Sequence, residues 1–149
     1  MAFRGITLLE VGENGQKWGM SNEGELGHSP QAASVARAAD MLSSEVGEEG
    51  TIEIFEMFLR DAMSRMDDIA AAHRNGDASE LRRSAHSFKS VCETVGAGEF
   101  AGILRDIEKI AEMGNFEVAQ KFIARADEEL PEVVALLEVE VERMRERMG

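Results

Sequence analysis

From about residue 31 onward the chain repeats its apolar residues every three or four positions, and each repeat stops at or near a glycine. Such a period puts one apolar stripe on each of several α-helices, and the stops keep them from forming one rod. A first short helix is expected over 31–44, with Val35, Ala38, Ala39 and Leu42 on one face, broken by Gly47 and Gly50. Thr51 should cap a long helix to about residue 73, carrying Ile54, Phe58, Ala62, Met66 and Ile69, and Asn75-Gly76 ends it. Asp77 is placed as the next N-cap, with Glu80 three residues on as in a capping box, and that helix runs to about Val95 before Gly96. Another, over about 98–113, turns Phe100, Leu104, Ile107 and Ile110 inward and ends at Gly114. Asn115 caps the last segment, where Pro131 is expected to start or kink a final helix with Val134, Leu137, Val141, Met144 and Met148 in a stripe.

Short connections between long amphipathic helices favour antiparallel neighbours. Composition agrees: aromatics are only 5%, tyrosine is absent, and no alternating Val, Ile and Thr run suggests a strand. The expected fold is all-α, an antiparallel up-down four-helix bundle over residues 31–149 with an additional N-terminal helix. Residues 1–30 hold Gly5, Gly12, Gly15, Gly19, Gly24 and Gly27, and they read as a flexible arm. The Ile6-Leu8-Leu9 patch and Trp18 are its candidate docking points.

A net charge of −13 disfavours binding to nucleic acid or to an anionic membrane surface. No apolar run approaches the roughly 20 residues that span a bilayer. The N-terminus is too weakly apolar for a signal peptide, so the cytoplasm is expected. A single cysteine, Cys92, excludes an internal disulfide.

The chemistry concentrates between Asp77 and Gly96. At about 100° per residue, Leu81, Ser84, Phe88, Val91, Cys92 and Val95 share one side of that helix, and His86 lies opposite. Arg82, Arg83, Lys89 and Ser90 fall within a turn of it and within about 60° of its direction. An outward imidazole framed by three cations, in a chain otherwise acidic, suits a nucleophile that becomes phosphorylated. Near pH 7 a neutral imidazole has its lone pair available. Lys89 and an arginine could then hold the phosphoryl oxygens by charge-assisted hydrogen bonds. Nothing nearby is expected to act as a strong general base or to hold magnesium, so a partner must bring its own acidic pocket and metal.

The blander readings are weaker. His-x-x-Lys alone is common by chance, but here it combines with the cation cluster and the apolar opposite face. His73 near a helix end is favoured simply by the helix dipole, and His28 in the arm carries no argument. Cys92 should be a buried, inert thiol. Gly96-Ala-Gly98 follows a helix rather than a strand, and no Gly-Lys-Ser/Thr loop exists, so no nucleotide site is read. The stripe over 133–148 is chiefly core, and a monomer is expected rather than a homodimer.

The run His86-Ser-Phe-Lys89-Ser90, with the helix ending at Gly96-Ala97, resembles the signature of histidine phosphotransfer (HPt) domains. In that family lysine follows the phosphoacceptor by three residues, glycine comes next, and the helix closes in Gly-Ala. Here Ser90 stands in place of the glycine. The likeness extends over roughly residues 35–148, including the Gly76-Asp77 turn, the Arg82-Arg83 pair and the Ile107-Glu108 helix.

The resemblance implies a phosphocarrier that is not itself an enzyme, with the phosphoryl group on His86. Its partners would be the receiver domains of response regulators and a sensor or hybrid histidine kinase, with magnesium on the receiver and no cofactor of its own. A helical adaptor using the same face without carrying phosphate is the alternative that Ser90 motivates. The phosphoacceptor domain of a chemotaxis-type kinase is the third, disfavoured by so short a chain.

Overall fold

The computed structural model describes residues 29–149, and the expected arm, with Trp18 and His28, lies almost wholly outside them. Four α-helices follow in order among the described residues: α1 (Pro30–Arg74), α2 (Ala78–Thr94), α3 (Gly98–Glu112) and α4 (Phe116–Met148). Residues 34–149 form one compact unit.

Three short turns join these helices, and each is built the same way. Gly76, Gly96 and Gly114 take positive φ. In every case the glycine N–H reaches back three residues and the next N–H reaches back five, as in Gly96 to the Glu93 carbonyl and Ala97 to the Cys92 carbonyl. That pattern satisfies the last carbonyls of the ending helix. The residue after the glycine then begins the next helix at once. Asp77 Oδ1 accepts from the Glu80 N–H at 3.0 Å, and Asn115 Oδ1 accepts from Val118 N–H at 3.1 Å. The capping box is only half formed, because the Glu80 carboxylate takes Arg83 and Ser84 instead of reaching back.

The additional helix is not a separate element. Its residues are the first part of α1, which kinks at Gly47 (φ 83°, ψ 165°) and continues without a break at Gly50. Thr51 is no cap: it is buried, and its hydroxyl donates to the Gly47 carbonyl four residues back. A fully buried threonine satisfied in this way lets the helix resume directly after the kink. Pro131 likewise interrupts nothing, for α4 runs through it. The lost N–H bond is offset by the burial of Leu130, Val133, Leu136 and Leu137 around it.

The apolar stripes meet in one core. Phe88 is its pivot, with ring centroids 5.8 Å from Phe58 on α1 and 5.6 Å from Phe100 on α3. Phe55, Ala85 and Ile103 are buried beyond those expected, while Met148 is exposed and Ala38, Leu42, Ile54, Ser84, Val91 and Val134 are half-buried. The first part of α1 also rests on the α2–α3 turn. The Ser34 hydroxyl donates to the Gly96 carbonyl at 2.6 Å. At the opposite end of α2, His73 Nε2 meets the Phe116 carbonyl at 2.8 Å, tying the end of α1 to the start of α4. No described helix is long and apolar enough to cross a membrane.

Candidate functional site

Because Leu81, Ala85, Phe88 and Cys92 are all buried, the rotation of α2 about its axis is set, and His86 can only point outward. Its side chain is 57% exposed, midway along the helix. The structure thus places the ring where the periodicity puts it. Its surroundings differ from expectation.

Glu108, reaching over from α3, bridges two of the α2 side chains. Its Oε2 lies 3.0 Å from His86 Nδ1, and its Oε1 accepts from Lys89 Nζ at 3.0 Å. The expectation that no strong general base stands near His86 did not foresee this carboxylate, which meets the ring as a hydrogen-bond acceptor. Lys89 does not stand outward either: its side chain is only 16% exposed, folded onto the 14% exposed Glu108. A lysine about 60° from His86 on the α3 side finds a carboxylate there, and an ion pair is the lower-energy state for both groups. Burial by itself pushes the Glu108 carboxyl up. The hydrogen bonds and charges of Lys89 and His86 outweigh it and hold the group below the ordinary carboxylate range.

An ionised carboxylate can only accept, so whenever the imidazole is neutral its proton sits on Nδ1 and its lone pair on Nε2. The nitrogen facing water is thus the nucleophilic one. That is the chemical content of the His86–Glu108 pair.

The remaining expected residues divide. Arg83 pairs with Glu80 on its own helix. Arg82 is exposed, with no hydrogen bond or ion pair to any described residue. The Ser90 hydroxyl donates to the His86 carbonyl at 3.2 Å, so it is turned to the backbone. On the α1 side stands a cation that sequence reasoning passed over. Arg65 Nη1 donates to Ser87 Oγ at 3.0 Å.

Glu108 had a detectable signal, since it shares a helical row with Leu104 and Ala111, both buried, and a carboxylate there needs a partner. Arg65 had none. Asp61 and Asp68 sit four before and three after it, so it reads as part of a solvated ion-pair face. Cys92 is buried, and burial pushes its thiol far above the usual value, which suits a core residue.

The family model of the Hpt domain matches residues 53–146. The crystal structure of histidine-containing phosphotransfer protein B (HptB) from Pseudomonas aeruginosa PAO1 superposes with a TM-score of 0.67 at 32% identity, covering 72% of this chain and 92% of that one. No curated protein matches the chain.

Proposed function

Since this chain belongs to the Hpt domain family, whose members are phosphocarriers in histidine phosphotransfer relays, we propose that His86 takes a phosphoryl group from the aspartyl phosphate of a receiver domain, or from a kinase, and passes it to an aspartate on another regulator. The observation that carries this reading is the Glu108 bridge, which leaves Nε2 outward with its lone pair free.

The exchange balances without moving a proton. The Nε2 lone pair attacks phosphorus, the N–P bond forms, and the P–O bond to the partner's aspartyl group breaks, its electron pair leaving as carboxylate. The ring, still protonated at Nδ1, becomes cationic as the phosphoryl group arrives, and the Glu108 carboxylate faces that developing charge. Electrostatic stabilisation already oriented in the resting state costs no reorganisation during transfer. Lys89 prevents Glu108 from swinging away. Arg82, exposed and in no ion pair among the described residues, contributes to the local positive field, Arg83 does so only as far as Glu80 leaves it free, and Ser90 keeps the backbone beside His86 low for an approaching domain. The attack needs a cation at the acyl phosphate, and magnesium is expected on the receiver rather than on this chain.

Transfer of labelled phosphate from a phosphorylated receiver tests the reading. Wild-type protein should acquire an acid-labile, alkali-stable label that His86→Ala lacks. A label-free wild type that still binds receivers normally would make the protein an adaptor.

A further inference from the structure

The four cations around His86 are not equivalent. Lys89 is neutralised by Glu108 and Arg83 by Glu80, while Arg82 has no anchor among the described residues. Arg65 is fixed, yet it is in no ion pair among the described residues. Its guanidinium is held on the hydroxyl of Ser87, the residue next to His86, and no carboxylate of the described residues lies within 4.0 Å of it. It is half-buried and lines a small polar groove between α1 and α2, together with Asp68, Glu80, Arg83, Ser84 and Ser87.

Ser87 lies about 100° round the helix from His86 on the side away from Lys89, so Arg65 of α1 and Lys89 of α2 itself stand on opposite sides of the ring. A phosphoryl group on Nε2 adds roughly −1.5 to −2 charges and three strong acceptors. Hydrogen bonds to such an anion are about twice as strong as those to a neutral hydroxyl. A guanidinium resting on a serine is thus displaced readily toward a phosphate, whereas one paired to a carboxylate is not.

From this placement we infer that Arg65 is a phosphoryl-binding residue of the phosphorylated state, leaving Ser87 to hold the phosphoryl oxygens on His86. The inference rests on His86 being the phosphoacceptor. It assigns to α1 a direct role in phosphohistidine stability, with Lys89 acting chiefly through Glu108.

The test needs no partner protein. The full chain is phosphorylated with potassium phosphoramidate, and the second ionisation of its phosphohistidine is followed by phosphorus NMR against pH. Arg65→Gln removes the charge and leaves a shorter polar side chain, and circular dichroism verifies that it folds. An adjacent cation favours the dianion, so the midpoint in Arg65→Gln should lie higher than in wild type by about half a pH unit or more. Arg65→Lys should restore most of the difference, and Arg82→Ala should move the midpoint less than Arg65→Gln. Equal midpoints in wild type and a folded Arg65→Gln overturn the role of Arg65 while leaving His86 as phosphoacceptor. A wild type that takes no phosphoryl group on His86 overturns both.

Discussion

His86 and Glu108 stand 22 residues apart in sequence and on different helices, yet Nδ1 and Oε2 lie 3.0 Å from each other. The same carboxylate holds Lys89 at 3.0 Å through its other oxygen. One side chain on α3 thereby sets the tautomer of the histidine and the position of the lysine together.

Replacing Glu108 by glutamine keeps the shape and removes the charge. Phosphotransfer to His86 should slow by roughly tenfold or more, the order expected when one oriented electrostatic partner is lost. Stability should respond to pH with a definite sign. The folded-state pKa of Glu108 lies below its ordinary value, so its contribution is complete above the ordinary carboxylate pKa and disappears as pH falls through the lower folded value. Chemical denaturation of wild type and Glu108→Gln should differ most at neutral pH and converge under acid. A constant difference down to pH 3 would contradict the ion pair.

Lys89→Ala should affect both chemistry and folding. The ammonium is folded onto Glu108 rather than free in water, so its loss leaves a mostly buried carboxylate with His86 alone. Transfer should slow by roughly tenfold, one charge-assisted bond's worth, with a measurable drop in denaturation midpoint. Unchanged transfer kinetics would remove Lys89 from the mechanism.

Phe88→Ala acts through the core. The ring is fully buried and touches aromatic rings on both neighbouring helices. Truncation should cost about 3–5 kcal/mol of unfolding free energy. A near-zero effect would mean that α2 is rotated differently, and His86 with it.

Gly96→Ala and Gly114→Ala separate two costs. Both glycines have positive φ, but a Cβ at Gly114 meets nothing within 4 Å, whereas one at Gly96 falls 2.4 Å from the Ser34 carbonyl oxygen. Gly114→Ala should therefore cost about 1–2 kcal/mol, the strain of a left-handed alanine. Gly96→Ala should cost distinctly more, because α1 has to move off the turn. Equal losses would show that α1 does not rest there.

The local grammar of the fold was legible in the sequence because it depends on neighbours a few residues apart. Apolar spacing marks the helices, Gly76, Gly96 and Gly114 mark their ends, and Asp77 and Asn115 mark the restarts. The same spacing turned His86 outward opposite a buried Phe88, and the run from His86 to Ala97 pointed to the family. Gly47 was read as a break but is a kink, since Thr51 satisfies its own hydroxyl within the turn.

What surrounds the imidazole was decided only when the helices packed. Glu108 and Arg65 each come from another helix, 19 to 22 residues from the α2 side chains they meet. Neither approach follows from periodicity along α2. Lys89 shows the same limit: its angle on the helix was correct, but its direction depended on a carboxylate waiting on α3. Charge finds its partner across helices, and that choice is settled by packing rather than by sequence spacing.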